Sequence, residues 1–178
     1  MGLSPFLHRE NVKAIVTTGG IQSNHCRAAA IYCKKYGIVC TLVLHGDPEA
    51  FDRQSGNARI MRDSGAQIIF CDAHEISSTM DRAMEGFRLR GLNPYYLPGG
   101  GHTVYGAAAY IELIGNLFSK KNAPDYIFLP SGTGSTQAGI VAGLRKLKLP
   151  TQVIGISVGR KQERAETITK SFYKELCL

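Results

Sequence analysis

The sequence predicts an α/β protein built on parallel sheets with flanking helices. Short apolar or β-branched runs alternate with longer helical patterns six times along the 178 residues, as expected of strand–helix units joined by right-handed crossovers. Residues 38–44 read Ile-Val-Cys-Thr-Leu-Val-Leu, a continuous apolar run suited to a strand covered on both faces. Three segments rich in glycine, hydroxyl and amide groups each follow a strand-like run, which is where α/β sheets place ligands.

The first strand is expected over residues 12–17, ending at Gly19-Gly20. A helix over 22–36 follows, with Ala28, Ala29, Ala30 and Ile31 on its apolar side, and Gly37 stops it. After the strand over 38–44 come a helix over 57–64 ended by Gly65 and a strand over 67–71. An amphipathic helix over 77–90, ended by Gly91, leads to a short strand over 95–97 that runs into Pro98-Gly99-Gly100-Gly101. The remaining pattern is a long helix over 104–120, a strand over 126–129, a helix over 135–147, a strand over 153–158 and a helix over 162–175. No internal repeat, low-complexity tract or flexible linker interrupts it.

Composition narrows the function classes. Hydrophobic residues make up 44% of the chain and charged residues 20%, a globular balance that argues against disorder. The formal charge is +7, yet the basic residues are dispersed and no basic run with interleaved aromatics occurs. Solvated helix faces and helix C-termini account for them, and no nucleic-acid partner is expected. Five cysteines, Cys26, Cys33, Cys40, Cys71 and Cys177, form no C-x-x-C pair and are odd in number. That favours a reducing, cytoplasmic setting over a disulfide framework, and no metal site is expected. No apolar run approaches the ~18 residues of a membrane span, and the start MGLSPFLHRE has no signal-peptide core.

Chemistry concentrates in the three glycine-rich segments. Ser131-Gly132-Thr133-Gly134-Ser135-Thr136-Gln137-Ala138-Gly139 follows a strand and opens a helix. Its glycines let backbone approach an anion, the free amides of a helix start point at it, and Thr133, Ser135 and Thr136 add hydroxyl donors. No Gly-Lys-Ser/Thr ends the segment, so it is not a Walker A loop. A plain helix cap needs one hydroxyl; a phosphate cup explains three. In Thr18-Gly19-Gly20-Ile21-Gln22-Ser23-Asn24-His25-Cys26-Arg27, Ser23 or Asn24 could simply cap a helix, but four consecutive polar side chains also suit a carboxylate or a ring oxygen. Leu97-Pro98-Gly99-Gly100-Gly101-His102 spends backbone entropy on three glycines, which a close ligand or a domain crossing would justify. His102 alone reads as a surface or capping histidine.

These segments carry a resemblance. TTGGIQSNHCRAAA resembles the T-x-G-G-x-Q-S-N-x-x-R motif of the pyridoxal-phosphate family that contains D-cysteine desulfhydrase and aminocyclopropane-carboxylate deaminase. LPGGGHTVYGAAAYIE is similar to that family's P-x-G-G-x-x-x-x-G-x-x-G-Y-x-E segment, and SGTGSTQAGIVAGL to its cofactor phosphate loop. The three occur in family order and cover residues 12–159. The resemblance implies a tryptophan-synthase-β-like fold, called fold type II among these enzymes. A small α/β domain would cover residues 12–100, and residues 101–178 would be part of a larger, here incomplete, cofactor-binding domain. The cofactor would be pyridoxal 5′-phosphate, held between them. Carried over, Gly132, Thr133, Gly134, Ser135 and Thr136 would bind its phosphate, and Asn24 the phenolic oxygen of its ring. Ser23 would bind the substrate carboxylate and, in the deaminase branch, act as nucleophile or base. Gln22 and His25 would line the substrate side. The substrate would be a small amino acid, D-cysteine or aminocyclopropane-carboxylate.

The resemblance also implies what is missing. The family's Schiff-base lysine lies in a G-N-K-x-R-K segment two dozen or more residues upstream of Gln-Ser-Asn. Only Lys13 precedes the motif here, and it does not match. Relatives are expected to be about twice as long, so the chain reads as truncated at both ends and inactive by itself. Uncovered large-domain surface would favour a homo-oligomer. Two other readings stay open: a non-catalytic cofactor-binding remnant or subunit completed by a partner chain, and a nucleotide-binding α/β protein of another family.

Overall fold

The computed structural model describes residues 3–119 and 121–177. The chain divides into two compact units, one of residues Pro5–Gly101 and one that runs from His102 onward and also takes in Leu3 and Ser4. The fold is α/β, with parallel sheets and flanking helices, as expected.

In the first unit, helix α1 (Ser4–Arg9) precedes β1 (Ala14–Gly20), α2 (Asn24–Tyr36), β2 (Val39–His45), α3 (Pro48–Arg53), α4 (Asn57–Arg62), β3 (Gln67–Phe70), α5 (Ile76–Leu89) and β4 (Pro94–Leu97). All pairings are parallel, in the order β3-β2-β1-β4. Both faces of the central strands are covered. Ala14, Val16 and Val43 pack with Met80, Met84 and Phe87 of α5, while α2 packs on β1 and β2 through buried Cys26, Ala29, Ala30 and Cys33. Helices α1 and α3, each six residues long, are absent from the sequence pattern; α4 is equally short but is marked in the sequence by the glycine stop at Gly65.

Strand β1 runs three residues past its expected end. Gly19 pairs with Leu44 and Gly20 with His45, so ladder hydrogen bonds outweigh the low strand preference of glycine. Helix α2 starts later than expected because Ser23 is its cap: the hydroxyl accepts from Cys26 N at 3.1 Å. It ends at Gly37, left-handed with φ 65°, where the Gly37 and Ile38 amides both reach the Cys33 carbonyl.

The second unit contains α6 (Val104–Leu117), β5 (Tyr126–Ser131), α7 (Ser135–Lys146), β6 (Gln152–Ser157) and α8 (Gln162–Leu176). Thr103 caps α6 by accepting from Gly106 N at 3.0 Å. The helix expected over 104–120 ends at Leu117, and Lys120 lies outside the described residues. Strands β5 and β6 form a parallel two-stranded sheet of their own. Helices α6 and α7 cross very closely: a Cβ on Gly139 would overlap the Ala107 carbonyl oxygen, and one on Gly143 would lie 2.9 Å from Ile114 Cβ. Ile114, Ile140, Leu144 and Leu149 fill the core beside that crossing.

Candidate cofactor and substrate site

Order β3-β2-β1-β4 places the topological switch at β1. The chain leaves β1 towards β2 on one side and returns through α5 to β4 on the other. A crevice forms beyond the carboxyl ends of strands at such a point, and the segments after β1 and β4 are 21–23 and 98–101. The sheet therefore brings two of the three glycine-rich segments together. Gly99 lies against Thr18, and a Cβ on Gly101 would sit 3.5 Å from His25 Nδ1. Gly100 and Gly101 have φ of 72° and 66°, and Gly101 is also the last residue of the first unit.

Each polar residue at the start of α2 has a distinct partner. Gln22 is committed inside the unit: its Nε2 donates to Gln54 Oε1 and to the Ser55 carbonyl, at 2.7 and 3.0 Å. Its Oε1 accepts from the Asn57 and Ala58 amides at 3.0 and 3.3 Å. Gln22 thus caps α4, whose own N-cap, Gly56, has no side chain to do so. Asn57 Nδ2 donates to Asn24 Oδ1 at 2.9 Å, which fixes the Asn24 amide and leaves its Nδ2 hydrogens for an outside acceptor. Ser23 uses an acceptor lone pair on Cys26 N, and its hydroxyl also lies in hydrogen-bond reach of the Cys26 thiol. Its close approach to the strand end needs Gly19, where a Cβ would lie 2.6 Å from Ser23 Oγ. His25 Nε2 is 2.7 Å from Thr17 Oγ1, and burial pushes its imidazole below the ordinary range. Thr18 Oγ1 and Arg27 Nε are buried without a hydrogen-bond partner among the described residues. Such orphans mark a site that a polar ligand could complete. Both lie in the Thr18–Arg27 segment, yet neither stands out in the sequence, because a polar residue among other polar residues carries no signal of burial.

In the second unit the segment after β5 forms a tight turn into α7. Gly134 is the N-cap, left-handed at φ 83°, and α8 leaves it no room: a Cβ would lie 2.7 Å from Thr169 Oγ1. No side chain of the cap residue accepts from the helix start. The first intrahelical bond runs from Ala138 N to the Gly134 carbonyl at 3.0 Å, so the Ser135, Thr136 and Gln137 amides precede any intrahelical acceptor. Thr133 and Ser135 hydroxyls lie 3.1 Å apart, and a Cβ on Gly132 would meet open space. Uncapped amides, two adjacent hydroxyls and open space beside a glycine match the donor set a phosphate dianion needs. Arg160, which reads in the sequence as one of the dispersed, solvated basic residues, reaches back from the loop after β6 and donates through Nη1 to the Gly132 carbonyl. A cavity of about 530 Å³ touching Ser131, Gln137, Gly155 and Thr169 is lined by none of residues 132–136 and is separate from this cup.

His102 stacks edge-on against Phe172 at 4.6 Å. Its pKa is lowered by burial and by the Arg160 charge, with Glu175 opposing. The exposed Asp72, His74 and Glu75 could converge on a cation, but Asp72 and Glu75 already form a capping box.

A model of the family described as pyridoxal-phosphate dependent enzyme matches residues 3–176. The chain belongs to that family. D-cysteine desulfhydrase of Yersinia enterocolitica serotype O:8 / biotype 1B is 29% identical over 163 residues, 87% of this chain and 49% of that protein. A putative 1-aminocyclopropane-1-carboxylate deaminase of Pyrococcus horikoshii is 28% identical over 165 residues, 90% of this chain and 50% of that protein. Among solved structures, an ACC deaminase homologue superposes with a TM-score of 0.87 at 27% identity, covering 98% of this chain and 54% of that one. The threonine deaminase of T.th., at 21% identity and a TM-score of 0.64 over 88% of this chain and 48% of its own, shares the fold. The fold is that of the fold type II pyridoxal-phosphate enzymes, and the family's cofactor is pyridoxal phosphate. The chain spans about half the length of the curated relatives it matches.

Proposed function

We propose that this pyridoxal-phosphate family chain grips the cofactor as part of a lyase or deaminase acting on a small amino acid, of the D-cysteine desulfhydrase or aminocyclopropane-carboxylate deaminase kind. The observation that carries the reading is the uncapped start of α7 beside the paired Thr133 and Ser135 hydroxyls. In this reading Gly132, Thr133, Gly134, Ser135 and Thr136 hold the phosphate. Asn24, with Oδ1 already taken by Asn57, donates its Nδ2 to the phenolic oxygen of the ring. Ser23 donates its hydroxyl to the substrate carboxylate. Its service as a nucleophile requires a base, and the nearby His25 ring nitrogen is engaged by Thr17. His25 lines the substrate side as a neutral imidazole near pH 7, and Gln22 builds that wall by holding α4. When bound, pyridoxal phosphate supplies an electron sink for bond cleavage at the amino-acid α-carbon.

In the same reading residues 12–100 act as the small domain and 101–178 as part of the larger one. The protein is cytoplasmic, homo-oligomeric, and has neither nucleic-acid nor membrane partners. Among the described residues no helix is long and apolar enough to cross a membrane. The cysteines are free, and the Cys40 thiol is held protonated by a hydrogen bond with Cys33 and by burial.

A second reading, cofactor binding without turnover, is favoured by Lys13. It stands at the entrance of β1, exposed, with its backbone paired to Asn93 and Val39. At ~3.3 Å per strand residue it lies roughly 20 Å from the Gly20 end, so it does not serve as the anchoring lysine.

Tyrosine fluorescence tests the cup, since the chain has 8 tyrosines and no tryptophan. Pyridoxal phosphate is expected to bind at least tenfold more tightly than pyridoxal, and Ser135→Asp, which sets a like charge beside the phosphate, to abolish the difference. Equal affinity for the two ligands in the unaltered chain would refute the assignment. Sulfide release from D-cysteine or ammonia release from aminocyclopropane-carboxylate would select turnover over the second reading.

A further inference from the structure

We infer that Arg160 is a positioning residue for the phosphate cup, setting the orientation of the Gly132–Thr133 peptide through its hydrogen bond to the Gly132 carbonyl. The inference rests on the cup assignment above. A trans peptide is planar, so its carbonyl and the following N–H point in opposite directions. By holding the Gly132 oxygen, the guanidinium turns the Thr133 N–H to the other side of the same plane. It also draws the one acceptor of that peptide away from where an anion would meet it. Without this bond, a glycine with open space beside it has little to resist peptide rotation.

Arg160 is itself fixed. Ser157 Oγ donates to the Arg160 carbonyl at 2.7 Å, and Val158 N donates to the Ser131 carbonyl at 3.2 Å, tying the end of β6 to the residue that begins the cup. The side chain is half-buried, so its bond to the carbonyl is charge-assisted and partly shielded from water. The bond reaches the cup from the side of the Gly132 carbonyl. In this inference Arg160 acts through backbone geometry, by way of the Gly132 carbonyl.

Arg160→Met and Arg160→Lys in the full chain test this, each read in two ways. The first is hydrogen exchange of residues 131–137 in the ligand-free protein. The second is the affinity for pyridoxal phosphate and for pyridoxal. Arg160→Met is expected to speed exchange in this segment alone and to weaken pyridoxal phosphate about tenfold, the worth of one charge-assisted bond. Pyridoxal affinity should not change. Arg160→Lys, which keeps a cationic donor, should restore most of the exchange protection and affinity. Unchanged exchange in Arg160→Met, or a Lys variant as impaired as Met, would overturn the inference. If the unaltered chain showed no preference for pyridoxal phosphate over pyridoxal, the cup assignment would fall first; slowed exchange dependent on Arg160 would then show the loop contact without its proposed use.

Discussion

The two sheets are made of similar residues and sit in opposite environments. In the four-stranded sheet, Ile15, Val16, Leu42, Val43 and Leu44 are 0–1% exposed, closed in by α5 on one face and α2 on the other. In the two-stranded sheet one face carries Tyr126, Phe128, Ile154 and Ile156, joined at the strand end by Val158, and Phe128 and Val158 are each 66% exposed. An apolar run in sequence thus signals a strand without revealing whether the strand is covered. Stability should be concentrated in the first unit, and association tendency in the second.

The largest test of that contrast pairs two phenylalanines. Phe87, 1% exposed under the first sheet, should cost about 3–5 kcal/mol on change to alanine, measured by urea denaturation. Phe128→Ser should cost little and should reduce concentration-dependent light scattering; equal losses at both sites would erase the distinction. Next come two helical glycines. Gly139→Ala drives a Cβ into the Ala107 carbonyl and should cost roughly 1–3 kcal/mol, as overpacking does. Gly86→Ala in α5, where the new Cβ meets open space, should stabilise by about 0.4–1 kcal/mol. A smaller loss, about 1 kcal/mol, is expected for Gln22→Ala, the typical worth of a helix cap, with faster exchange at Asn57 and Ala58 as its signature. The smallest effect is of pH. The His25 pKa in the folded chain lies below the 6.5 of an ordinary imidazole, so the unfolded chain takes up that proton first. This contribution is complete above about pH 6.5 and declines as pH falls below it; an NMR titration placing His25 at or above 6.5 would contradict the sign.

Much of this architecture was legible in the residues. All six strands and every helix longer than six residues are where period and punctuation put them, because apolar runs and stop glycines are local signals. The ends of β1 and the first turn of α2 were not, since they depend on a neighbouring strand and on which of Ser23 and Asn24 turns inward. At the candidate site, the uncapped start of α7 follows from glycine at the N-cap and could be anticipated. Partnerships across long sequence separation could not: Gln22 with Asn57, and Arg160 with Gly132, become visible only when the chain is folded. Residue type told that Gln22 and Arg160 were polar. It did not tell that one is a strut and the other a clamp.

The Gln22 strut has a mechanical consequence. Any incoming molecule that donated to Gln22 Oε1 would have to displace the Asn57 and Ala58 amides from it, leaving the first turn of α4 with two stranded donors. Occupancy at the head of β1 and fraying of a helix more than thirty residues downstream would then be one event, and a chain that keeps α4 intact on loading is one whose ligand leaves that glutamine alone.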